Sequence, residues 1–205
     1  MLDKILQGVD RSLAYKLMAA HIFIIAVSNY LVQFKFNIFG HPLAAAAFTF
    51  PLVVVLTDLT VRMIGKETGR AVINLAFIPA ILASMAVVKL GGAPDSVALR
   101  IGLGSGIAYL ISNLLDVYVF QYLRERFSSW WIAPALSCIV STFIDTYVFF
   151  FTAFAYGANQ FMADNWHIVA TNNSWAKILV SLLVILPSYG VLLSLLQKKV
   201  EKRII

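Results

Sequence analysis

Three carboxylates stand inside stretches otherwise fit for lipid: Asp58 in LTDLTVR, Asp116 in SNLLDVYVF and Asp145 in STFIDTYVF. A charge at mid-membrane costs between about 2.5 and 17 kcal/mol by different methods, so such residues face a cavity or a partner. Around Asp116 and Asp145 the local pattern repeats. Ser112 and Ser141 lie four residues before the acids and Phe120 and Phe149 four after, so each triplet shares one helical face. Tyr109, Asn113, Asp116 and Phe120 make one stripe; Ser137, Ser141, Asp145 and Phe149 make the other. A hydroxyl, a carboxylate and an aromatic ring on one stripe suit the binding of a small polar ring. The alternative is polar packing between helices, worth about 0.6 kcal/mol per contact on average. Asp58 sits four residues before Arg62, on the same face, where the pair reads as an interfacial ion pair or a gate. One further segment, SNYLVQ (28–33), sets Ser28, Asn29 and Gln33 at the end of the apolar run LMAAHIFIIAV.

The elements that must position these groups are membrane helices. Of 205 residues, 60% are hydrophobic and 13% charged, against about 45–50% and 25% in a soluble domain. A helix needs roughly 20 apolar residues to cross about 30 Å of hydrocarbon. Six such runs are expected, near 16–34, 43–62, 70–90, 97–123, 131–157 and 175–197. No Pro/Gly/Ser-rich linker divides them, so residues 1–205 read as one all-α, six-helix membrane domain. The polar stretch GANQFMADNWHIVATNN reads as a loop along the interface. With the N-terminus inside, twelve Lys and Arg fall on inner segments. Four (Lys35, Lys89, Arg100 and Lys177) fall on outer ones. That bias places both termini in the cytoplasm. It also accounts for the net charge of +6 through anionic lipid heads, without nucleic acid.

Other chemistries lack their residues. His21, His41 and His167 are scattered, with no Cys or Glu at metal spacing, so no metal or cofactor is expected. GLGSG (102–106) follows no strand, and its Gly102–Gly106 spacing reads as close helix packing. The Gly-x-Gly-Asp signature of intramembrane aspartyl proteases is absent around Asp116 and Asp145, and no reactive geometry for an enzyme is found. No Lys or Arg is read deep in a span, which disfavours an anionic substrate. Pro51, Pro79 and Pro187 interrupt spans two, three and six and are expected to kink them or free carbonyls toward a cavity.

The order and spacing of SNYLVQ, FTFPLVVVLTDLTVR, WWIAP, DTYVFFFTAF and LPSYGVLL resemble the queuosine precursor transporter family of the vitamin uptake transporter group. The resemblance covers nearly the whole chain. It implies a multi-pass importer of the bacterial inner membrane for 7-cyano-7-deazaguanine or 7-aminomethyl-7-deazaguanine. It also implies a fold similar to the substrate-binding subunits of energy-coupling-factor transporters. Such subunits dock an ATPase through Ala-x-x-x-Ala on the first helix. Here Ala14, Ala19, Ala20 and Ala26 include no two that are four apart, so the ATPase partner stays open. Self-association also stays open, and the alternative remains a vitamin-binding subunit of an energy-coupling-factor transporter.

A deazaguanine is flat, and its Watson–Crick edge carries donors and acceptors. A carboxylate accepts from a ring N–H and an exocyclic amine together, an amide serves both kinds of atom, and aromatic stacking adds about 1–3 kcal/mol per base. Asn29 is therefore expected to read the polar edge, with Asp116 or Asp145 opposite and Asn113 nearby. Tyr118, Phe120, Tyr147 and Phe149 are candidates for stacking. Asp58 and Arg62 are assigned to the cytoplasmic gate or the fold.

Overall fold

The computed structural model describes residues 5–31, 34–38 and 41–204. Gln33 of the SNYLVQ stretch and Lys4 of the charge count lie outside them. Helix α1 spans Arg11–Leu31 and is followed by an antiparallel hairpin, β1 Lys35–Ile38 with β2 His41–Ala44, in which Lys35 pairs with Ala44 and Ile38 with His41. A 3-10 turn, Ala45–Phe48, leads to α2, Pro51–Met63. Then come α3 Lys66–Leu90, α4 Asp95–Arg126, α5 Ile132–Phe154, α6 Gln160–Val180, a π-helical turn Ser181–Ile185 and α7 Leu186–Ile204. Apart from this short hairpin and the connecting turns, the described residues are helical.

Among the described residues, five helical segments are long and apolar enough to cross a membrane: Arg11–Leu31, Lys66–Leu90, Asp95–Arg126, Ile132–Phe154 and Gln160–Leu195. Two expectations are corrected here. The run at 43–62 is not one helix. Its first residues belong to the hairpin and the 3-10 turn, and Pro51 opens α2 rather than interrupting it. Proline lacks the N–H that a helix interior needs and is tolerated in the first turn. The remaining 13 residues reach only about 20 Å at 1.5 Å per residue. The stretch GANQFMADNWHIVATNN (157–173) is helix from Gln160 onward, not loop. Asn159 caps it by accepting from the Met162 N–H at 3.1 Å. Its amides bond within the helix: Asn165 to the Phe161 carbonyl at 3.0 Å, Asn173 to that of Val169 at 2.9 Å. That local satisfaction lets a polar sequence remain helical.

Packing runs in the order α1, α3, α4, α5, α6, with short α2 laid against α3, α4 and α5. Ile25, Val53, Val61, Ile73, Val117 and Phe120 form the main apolar cluster between α1, α2, α3 and α4. The glycines of GLGSG set how closely α4 is approached. A side chain on Gly102 would meet Met85, and one on Gly106 would meet Ile81, both on α3. One on Gly104 would come to 3.3 Å from the backbone of Ala153 on α5. Helices α5 and α6–α7 run antiparallel in steady register, from Phe151 beside Trp166, through Tyr147 beside Thr171, to Trp130 stacked on Tyr189. The π turn lies just before Pro187, whose missing N–H leaves the regular ladder incomplete at that point.

Two contacts mark the opposite ends of the bundle. Arg62 at the end of α2 donates to the Trp130 carbonyl at 3.3 Å. Arg100, early in α4, donates to the carbonyls of Ala153 at 3.1 Å and Ala155 at 2.6 Å, holding the last turn of α5. Gly106→Leu is expected to force α3 from α4 and destabilise the protein by about 1–3 kcal/mol, the usual cost of overpacking. Thermal unfolding of the purified protein in detergent checks this, and a wild-type midpoint would refute the contact.

Candidate functional site

Helix α4 turns a polar face inward. Ser105, Tyr109, Ser112, Asn113 and Asp116 are all buried along it, and their spacing of three and four residues keeps them on one side. Each meets a different neighbour, so the interior polar groups fall into three levels.

At the level nearest the end of α1, Asn29 donates to the Ser84 hydroxyl at 2.7 Å, and Ser84 donates to Ser105 at 3.2 Å. This chain ties α1, α3 and α4 together. Ser28 donates to Thr49 at 2.8 Å, which brings the segment before α2 alongside. Among the described residues Asn29 has no hydrogen bond to either Asp116 or Asp145.

The middle level holds a charged pair. Lys177 of α6 approaches Asp145 of α5 at 3.4 Å and donates to Thr146 at 3.2 Å, while Ser112 of α4 donates to the other Asp145 oxygen at 3.3 Å. The Lys177 ammonium also lies 4.7 Å from the ring centre of Phe50, a cation–π contact. About a quarter of the Asp145 side chain remains accessible. Beside this pair, Tyr109 meets His21 at 2.8 Å, and its carbonyl accepts from Asn113 at 2.9 Å. Thr57 donates to Asn113 at 3.4 Å.

The level toward Arg62 and Trp130 is acidic. Asp58 of α2 and Asp116 of α4 are 1% and 0% exposed, and they stand close enough for each carboxyl to feel the other's charge. Ser137 and Ser141 of α5 face Asp116. A cavity of about 20 Å³ adjoins Asp58, with Cys138, Ser181 and Tyr189 in its walls. Arg62 gives its Nη1 to the Trp130 carbonyl. Arg62 thus ties α2 to the start of α5, and Asp58 faces Asp116.

Of the four rings expected to stack, Phe120 is wholly buried in the apolar cluster and Tyr118 is exposed on the far face, near Arg70. Phe149 packs against Phe150 and Phe154. Tyr147 faces α6 as Asp145 does, stacked on Phe143 with its hydroxyl 2.6 Å from Thr171. Among these four, only Tyr147 reaches the helix that carries Lys177.

The sequence reading missed Lys177 as an interior group. The sequence counts it on the outer side, at the start of the run 175–197, because the polar stretch before it reads as a loop. Its place two residues into the last apolar run was the signal. The premise that no base lies deep in a span is corrected accordingly. Because Lys177 is paired with Asp145, it presents no isolated positive charge. Lys177→Met would leave a largely buried carboxylate unpaired, which costs several kcal/mol when burial is complete and about 1–3 here, given the exposure of Asp145. The double variant Asp145→Asn/Lys177→Met is expected to recover most of that loss. Unfolding midpoints of the single and double variants check the coupling.

The family described as "Putative vitamin uptake transporter" matches residues 44–191. The chain is 38% identical over 194 residues to the "Queuosine precursor transporter" of Escherichia coli (strain K12), covering 89% of this chain and 87% of that protein. It is 34% identical over 204 residues to the "Probable queuosine precursor transporter" of Haemophilus influenzae, covering 88% and 86%. No solved structure matches it. Membership points to a membrane transporter rather than an enzyme, and with five span-capable helices the chain is a multi-pass membrane protein. This chain belongs to the queuosine precursor transporter family within the vitamin uptake transporter group.

Proposed function

We propose that the chain imports queuosine precursors, 7-cyano-7-deazaguanine or 7-aminomethyl-7-deazaguanine, across the bacterial inner membrane. The observation that carries this reading is the match over nearly nine-tenths of the chain to a relative named for that transport. The interior suits it. Asp145 is the one acid of the three that keeps part of its side chain accessible. With Lys177 it offers an acceptor and a donor side by side, which complements a base edge carrying both. Ser112 and Thr146 hold the two charged groups in place. The substrate would exchange its own donors and acceptors for the ion pair, and Tyr147 and Phe50 would supply the nearest rings. Asn113 would act from the position next to Ser112 on α4. Asn29 would act by fixing α1 against α3 and α4.

Six crossings with both termini cytoplasmic remain the topology that fits best. The 3-10 turn and α2 together run from the level of Ser28, near one end of α1, to Arg62 at the other end. Broken segments are tolerated at membrane depth where protein surrounds them. The α2–α3 turn and the α4–α5 link share one end and carry Arg62, Lys66, Arg70, Arg124 and Arg126, as the positive-inside rule requires of a cytoplasmic face. A C-terminal alkaline phosphatase fusion is therefore expected to be inactive and a fluorescent-protein fusion bright; the reverse would overturn the topology.

Expressed in a bacterium that neither makes deazaguanines nor has its own importer, the chain is expected to restore queuosine to tRNA when either precursor is supplied. Boronate gels read the outcome. Asp145→Asn, at normal membrane levels, removes a charge-assisted bond worth about 1.5–3 kcal/mol, so uptake is expected to fall roughly 10- to 100-fold. Undiminished uptake by that variant would remove Asp145 from the site.

A further inference from the structure

Unpartnered buried oxygens concentrate in one place. Asp58 Oδ1, both Asp116 oxygens, and the hydroxyls of Ser137, Ser181 and Tyr189 are all buried without a hydrogen-bond partner among the described residues. The acids lie near each other where α2 packs on α4, Ser137 and Ser141 approach from α5, and Ser181 and Tyr189 border the small cavity beside Asp58. Two carboxylates this close repel unless something positive lies between them. The charged and titratable groups facing the pair are few. Cys138 approaches from α5 and Tyr189 from α7; Arg62 stands on α2 itself, bonded to the Trp130 carbonyl, and Arg124 lies beyond, toward Tyr189. A cavity of about 20 Å³ has room for one water-sized body, since about 10–15 Å³ suffices.

We propose that Asp58 and Asp116 form the coupling site of the transporter, a carboxyl pair that carries one proton per cycle. This rests on the reading of the chain as a carrier. With the proton held between the two carboxyls, α2 and α4 stay together. When that proton leaves to water on the cytoplasmic side, two negative charges face each other and α2 is pushed from α4. The shift reaches the clasp of Arg62 on Trp130 four residues away. A proton taken from water at the opposite side restores the pair. Coupling to the substrate runs through α4. Asp116 is one turn from Ser112, and Ser112 donates to Asp145.

Two measurements test this on the full-length protein. In proteoliposomes, an inward proton gradient is expected to drive accumulation of labelled 7-aminomethyl-7-deazaguanine or its cyano analogue above equilibrium, and a sodium gradient alone to drive none. Asp58→Asn and Asp116→Asn are expected to keep counterflow exchange within about twofold of wild type while gradient-driven accumulation falls at least about tenfold. Intact counterflow shows that the variants fold. Accumulation indifferent to the proton gradient, driven by sodium alone, or retained in both variants would overturn the proposal. Infrared spectra need no substrate. A protonated-carboxyl band is expected in the wild type and lost in either variant, and a wild type without such a band would also overturn it. If the band behaves as expected but neither precursor shows counterflow, the proton site stands and the choice of substrate fails.

Discussion

Lipid offers a polar side chain no hydrogen-bond partner, and that constraint organises this molecule around α4. Ser105, Tyr109, Ser112, Asn113 and Asp116 cannot face hydrocarbon without leaving polar groups unpaired, so α4 must be surrounded. Ser84 meets it from α3, Thr57 from α2, His21 from α1 and Asp145 from α5. Close approach is possible because Gly102 and Gly106 clear one side of α4 for α3 while Gly104 clears another for α5. Each interhelical bond is individually modest. Together they fix the rotation of α4 about its axis, because turning it would break contacts to four neighbours at once.

Irregular backbone gathers beside the acids. Helix α2 is short and begins at Pro51; the π turn 181–185 interrupts the long α6–α7 segment. Both contribute walls to the cavity that holds Asp58, through Val54 and Val55 on one side and Ser181, Leu182 and Ile185 on the other. Breaks in membrane helices are sustained where they line a cavity rather than face lipid. Trp130, stacked on Tyr189 and seated over Gly190, closes the same end of the bundle. The elements with the weakest internal ladders therefore converge on Asp58 and its cavity.

Much of this was legible in the chain. Apolar runs of about 20 residues locate α1, α3, α4 and α5, and the spacing of Ser112, Asn113 and Asp116 identifies the inward face of α4. The hairpin was not legible, because KFNIFGHP (35–42) reads as a polar connection and 43–48 is apolar enough to pass for the start of a span, while Pro51 forbids extending α2 backward. The helix at 160–180 was missed for the opposite reason. Its amides look like loop residues until they bond to carbonyls four residues back. That error also hid Lys177. The similar settings of Asp116 and Asp145 in sequence were misleading too, since one residue meets another acid and the other meets a base.

The contrast between those two aspartates follows from where each stripe points. Asp116 and Asp145 have the same Ser at i−4 and Phe at i+4, but α4 is central and α5 carries α6 on its outer side. Asp116 therefore faces inward to Asp58 and is sealed, whereas Asp145 faces α6 and keeps an accessible edge beside Lys177. A sealed carboxyl pair can exchange nothing larger than a proton or a water without the helices parting. An accessible carboxylate–ammonium pair can trade its partner for the edge of a ligand at little electrostatic cost, because donor and acceptor are both replaced. Ser112, one turn from Asp116 and bonded to Asp145, connects the settings of the two acids through α4.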